Sequence, residues 1–233
     1  MKLSIIVPVF NEEKTILQIL EKLEKADIPV AQETIIVDDG STDTTREKLR
    51  KIRNAKIILH KKNQGKGAAV KTGIKNAKGD YILIQDADLE YNPNQIKELL
   101  KPILESKAEV VYGTRLNRMP HLSKEEKKHL FIFHYFGNRF LSLITSILYG
   151  QWLTDMETCY KMFPKQALNS IKLNARGFEF EPEITAKLLK QGYKIKEVSI
   201  TANPRGYDEG KKLNTIRDGS KALWYLFKYR FTD

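Results

Sequence analysis

Only one cysteine, Cys159, occurs in the 233 residues. No disulfide can therefore form within the chain, and the composition suits a reducing compartment. Long apolar runs are also missing. No uncharged stretch reaches the ~18 to 20 residues that a membrane span needs, and the short apolar run after Lys2 is broken by Pro8 instead of forming a leader. Low-complexity linkers and internal repeats are absent. The expectation is a single cytoplasmic domain, 1–233, with an ample core. Acid is in deficit: 29 Asp and Glu face 40 Lys and Arg, for a net charge of +11. That balance suits anionic partners, although compositions rich in both lysine and glutamate reach it as well. No recognised nucleic-acid motif accompanies the charge, so nucleic acid is not an expected partner.

Apolar segments alternate with amphipathic ones over the first ~115 residues. Residues 3–9, 34–37, 56–60, 81–85 and 110–112 read as buried strands. Residues 44–53, 65–77, 93–105 and a segment opened by Asn11 as cap read as helices. This alternation predicts an α/β fold, a mostly parallel sheet with helices on both faces. In such sheets ligands bind beyond the carboxyl ends of the strands. Asn11-Glu12-Glu13, Asp38-Asp39 and Asp86-Ala87-Asp88 all fall at those ends.

The sharpest chemical signal is Ile82-Leu83-Ile84-Gln85-Asp86-Ala87-Asp88-Leu89-Glu90, an apolar strand running into three carboxylates. Crowded acids repel unless something neutralises them. A hard divalent cation, Mg²⁺ or Mn²⁺, shared with a diphosphate would do so. The plainer alternative is a turn capped by Asp86 with solvated neighbours. Gly65-Lys66-Gly67 lacks the spacing of a Walker A loop.

Val7-Pro8-Val9-Phe10-Asn11-Glu12, Val37-Asp38-Asp39-Gly40-Ser41-Thr42-Asp43, Asn63-Gln64-Gly65-Lys66-Gly67, Asp86-Ala87-Asp88 and Gly113-Thr114-Arg115 follow one another in a familiar order. In this order and spacing they resemble the family 2 glycosyltransferases of the GT-A fold. Gly177-Phe178-Glu179-Phe180-Glu181 and Asn203-Pro204-Arg205 extend the likeness to the dolichol-phosphate mannose synthase and polyprenyl-phosphate glycosyltransferase branch. The resemblance implies a nucleotide-sugar half (1–115), an acceptor half (116–215) and an amphipathic C-terminal helix (216–233). It also implies a nucleotide-diphosphate sugar donor of GDP-mannose or UDP-glucose type, a divalent metal and inversion at the anomeric carbon. Pro8, Phe10 and Glu12 would line the nucleoside pocket. Asp38 or Asp39 would accept from the base, and Lys66 and Asp86 would lie near the nucleotide. Asp86, Asp88 and Glu90 would be the metal acids, with Asp88 the principal one.

Two acceptor readings follow. A hydroxyl acceptor needs a general base, and Asp155 or Glu157 stands in that region. A polyprenyl phosphate is already an anion and needs cations instead. Arg115 and Arg205, followed by Lys211 and Lys212, match the positions where the lipid-phosphate branch carries basic residues. The aromatic segments 131–149 and 224–231 have the makeup of helices lying in a membrane interface, which predicts peripheral contact with the cytoplasmic face. A non-catalytic nucleotide-binding scaffold at the membrane is the alternative from another class.

Overall fold

The computed structural model describes residues 1–116, 129–203, 205 and 215–232. The chain runs β1 (Lys2–Val9), α1 (Ile16–Lys25), β2 (Ala31–Asp38), α2 (Thr45–Leu49), β3 (Lys56–Leu59), α3 (Lys66–Asn76), β4 (Tyr81–Ile84), α4 (Ile96–Leu104) and β5 (Val110–Thr114). The second half adds α5 (His129–Tyr149), β6 (Lys161–Pro164), α6 (Phe180–Lys190), β7 (Ile195–Ser199) and α7 (Thr215–Phe231). One seven-stranded sheet of order β3-β2-β1-β4-β6-β5-β7 forms the centre. It is mostly parallel, as expected, except that β6 runs antiparallel to both β4 and β5. Nothing in the sequence pattern announced β6, because its four residues begin with a lysine and end with a proline.

β1 is buried along nearly its whole length and pairs with β2 on one side and β4 on the other. Its continuous apolar run is what a strand covered on both faces requires. Pro8 fits this central strand because β4 pairing stops at Ile6↔Ile84. Gln85 N donates to Ile6 O, so the proline two residues on turns its missing N–H toward a place where β4 has already ended. α3 carries the chain from β3 back across β2 and β1 to β4, reversing the direction of the first two crossovers. Right-handed connections therefore put α3 on the face opposite α1 and α2. Gly73 lets α3 approach closely, since a Cβ there would stand 2.4 Å from Ile6 Cγ2.

Element ends differ from expectation in two informative places. The first helix begins at Ile16 with Thr15 before it, not at an Asn11 cap. Asn11 instead adopts φ +50° and accepts from Thr42 N through Oδ1 at 2.8 Å, tying the β1 and β2 loops together. Helix α2 is only five residues long where ten were predicted. The strand order turns back at the β1/β4 boundary, which makes their carboxyl ends the switch point where a ligand cleft opens.

Candidate active site

The loops after β1 and β2 are braced by acids whose lone pairs the chain itself occupies. Asp38 is fully buried, accepts from Arg46 Nε at 2.6 Å and from Ser41 N at 3.3 and 3.4 Å. Asp39 is also buried, accepting from Gln64 N at 3.0 and 3.1 Å and Gly65 N at 2.7 Å, with His60 Nδ1 at 2.7 Å. Both carboxylates thus brace the wall of the pocket. His60 and Arg46 complete that bracing, and their sequence context gave no sign of it. Gly65 has φ +99°, and a Cβ there would lie 2.3 Å from Arg176 O. Only glycine permits this approach, which sets the residue-177 loop against the start of α3. Pro8 is buried at the end of β1 and Phe10 is half-buried just beyond it.

Asp86, Asp88 and Glu90 follow β4, where Leu89 takes φ +65°. They do not form one preformed cage. Lys66 Nζ reaches Asp86 at 2.9 and 3.0 Å and Glu181 at 2.9 Å. Arg205 spans the other acids. Its two terminal nitrogens donate to Glu12 at 3.0 and 3.1 Å, Nη2 lies 3.3 Å from Asp88, and its backbone N donates to Glu90 at 3.1 Å. Two cations are therefore shared among five carboxylates. Burial, then the charges of Asp86 and Glu90, push the Asp88 carboxyl up to about 7.

Among the described residues, no three His, Cys, Asp or Glu side chains are arranged to hold a metal unaided. The donor set still fits one. Mg²⁺ is commonly held by one or two carboxylates plus substrate phosphates, and Asp88 carries negative charge that its surroundings leave poorly compensated. Asp88 and Asp86 would hold such an ion, with Glu90 close enough that its charge acts on Asp88.

Arg115 closes the far side. Its backbone N, Nε and Nη2 all donate to Asp155, at 3.0, 2.7 and 2.8 Å. Its guanidinium also lies 5.7 Å from the centre of the Tyr91 ring. Asp155 is fully buried, and its own N donates to Glu197 at 3.0 Å. Glu157 sits nearby with Oε1 buried and unpartnered. Burial, then Glu181, drive its carboxyl up to about 8. Lys161, wholly buried over the Tyr112 ring, is pushed down to about 8 by burial. Glu181 was visible in the sequence only as part of a motif, and Lys161 not at all. Lys211 and Lys212 lie outside the described residues.

A mostly parallel α/β sheet of this order, with charged residues gathered beyond its strand ends, is the architecture of the GT-A fold. Residues 4–171 match the family model for glycosyl transferase family 2, and the chain belongs to that family: it is a glycosyltransferase. It is 30% identical to the UDP-N-acetylglucosamine–dolichyl-phosphate N-acetylglucosaminyltransferase of Methanococcus voltae, over 91% of this chain and 90% of that one. It is 29% identical to the low-salt glycan biosynthesis hexosyltransferase Agl6 of Haloferax volcanii, over 96% of this chain and 52% of that one. Among solved structures it resembles glucosyl-3-phosphoglycerate synthase of Mycobacterium tuberculosis, crystallised with Mn²⁺, UDP and phosphoglyceric acid. There the TM-score is 0.74 at 18% identity, covering 100% of this chain and 79% of that one.

Proposed function

We propose that the protein is an inverting, divalent-metal-dependent enzyme that moves a hexose from a nucleotide-diphosphate sugar to a polyprenyl or dolichyl phosphate. The observation that carries the acceptor choice is the state of the two candidate bases. Asp155 spends both oxygens on Arg115. Burial raises the Glu157 carboxyl to about 8, so only a minor ionised fraction could serve a hydroxyl acceptor as base near pH 7, whereas a phosphate acceptor needs no base. The M. voltae relative, by its name, acts on dolichyl phosphate, which favours the same reading.

A divalent ion, when bound, would supply Lewis-acid stabilisation of the departing diphosphate. The chain's own residues do the rest. Asp86 and Asp88 would hold that ion, and Lys66 adds a fixed positive charge beside Asp86. Arg205 and Arg115 are the guanidinium groups at the cleft, and an acceptor phosphate would share their N–H donors with Glu12 and Asp155. Held opposite the leaving group, that phosphate oxygen displaces the nucleotide in line, and the anomeric configuration inverts.

The test is transfer from UDP-N-acetylglucosamine, UDP-glucose and GDP-mannose, with Mn²⁺ or Mg²⁺, to polyprenyl phosphate, followed as label entering the organic phase. Lipid-linked hexose from one donor is the expected result. Transfer only to sugar or protein hydroxyls would replace it with the base-dependent reading.

A further inference from the structure

Helix α5 buries one side and leaves Phe136, Phe140, Leu143 and Ile147 exposed by 60, 52, 43 and 69%. Their spacing of four, three and four residues places all of them on a single stripe. Helix α7 packs beside α5, burying Ala222, Leu226 and Tyr229, and Tyr149 OH donates to Leu226 O at 2.7 Å. Its opposite side exposes Trp224, Phe227 and Phe231. Arg217, Lys221, Lys228 and Arg230 are exposed along the same helix, and no acid is exposed between residues 217 and 232. Where the helices end, Ile147, Leu148, Tyr149, Leu189, Lys190 and Arg230 line a cleft beside the α5 stripe. Isolated exposed apolar residues are ordinary, but seven large ones on two adjacent helices are a surface with a purpose.

We propose that the exposed stripes of α5 and α7 dock the protein on a bilayer surface containing anionic lipids. Charge decides between occupants. A second copy pairing through α7 would bring two basic faces together, whereas phosphate headgroups complement them. Aromatic rings interleaved with lysine and arginine are the composition that settles at the boundary of headgroup and acyl chain. No helix among the described residues is long and apolar enough to cross a membrane, so the contact is made from one side. The same helix reaches the catalytic cleft: Arg139 Nη1 of α5 donates to Leu116 O and Thr154 O, each at 3.4 Å, beside Arg115 and Asp155. Docking through α5 would thus bring the arginines of the cleft near the plane where a lipid phosphate lies.

Flotation of the full chain with phosphatidylcholine vesicles, with and without phosphatidylglycerol, tests this without any substrate. The chain is expected to float with the phosphatidylglycerol vesicles and to lose part of that binding as salt is raised. Phe136→Ser with Phe140→Ser, and separately Trp224→Ser with Phe231→Ser, should each cut the bound fraction at least about tenfold. These side chains are exposed, so the variants keep the fold, and unchanged nucleotide-induced stabilisation would confirm it. Failure of the wild type to float would overturn the proposal. So would a dimer in light scattering that Phe140→Ser converts to monomer. Neither result touches the glycosyl-transfer reading, which is judged by donor turnover.

Discussion

Arg205 holds Glu12 through both terminal guanidinium nitrogens, at 3.0 and 3.1 Å, across 193 residues of sequence. The same guanidinium lies 3.3 Å from Asp88. An arginine from beyond β7 therefore sits among acids that follow β1 and β4, as their internal counter-ion. A divalent cation arriving at Asp88 competes with it. Arg205→Gln should raise affinity for Mn²⁺ several-fold, measured by calorimetry on the protein alone, while slowing transfer to polyprenyl phosphate. Weaker Mn²⁺ binding in that variant would show that Arg205 assists the cation instead of opposing it.

Asp88→Asn removes the charge that Asp86 and Glu90 most oppose. The fold should persist with an equal or higher melting temperature at pH 7.5. Wild-type protein with a cognate nucleoside diphosphate at 100 times its Kd should gain about 2.7 kcal/mol in the presence of Mn²⁺. The variant should gain almost none of that increment. A full metal-dependent shift in the variant would mean that another group holds the ion.

Much of this was legible from residue order. Strands β1 to β5 and the acids at their ends follow from hydrophobic runs stopped by polar clusters, a local signal. What escaped was long-range. The resemblance assigns Asp38 or Asp39 a contact with the base, but nothing in it announces that Arg46, His60 and three backbone N–H groups also bond them. No periodicity encodes which partner a buried carboxylate will meet. β6 was hidden for the same reason. Lys161 is an unlikely strand residue until its ammonium is seen capped by the Met156 and Thr158 carbonyls over the Tyr112 ring.

The Arg115–Asp155 pair gives a stability test that also bears on mechanism. Asp155→Asn leaves a guanidinium without its counter-charge, and breaking a buried pair from one side costs about 3 to 5 kcal/mol. Arg115 remains one-fifth exposed, so the lower end is expected in urea unfolding. If Asp155 were instead a general base, the variant would fold normally and lose only turnover with a hydroxyl acceptor.

Glu157 provides the pH dependence. Its carboxyl stands near 4.5 when unfolded and at about 8 in the fold, raised first by burial and then by Glu181. The folded state thus binds the extra proton between those values, and stability falls as pH rises from about 4.5 to 8. Glu157→Gln imitates the neutral carboxyl and has nothing to titrate. The two proteins should be close in stability near pH 4.5, and the variant should become the more stable by pH 8. Above that, Lys161, lowered to about 8, works the other way: its neutral form suits the fold, so both proteins gain as pH climbs toward 10.5. Urea midpoints at pH 5, 6.5 and 8 would resolve the window. Parallel curves across it would mean that Glu157 is ionised in the fold, and the hydroxyl-acceptor reading would regain its base.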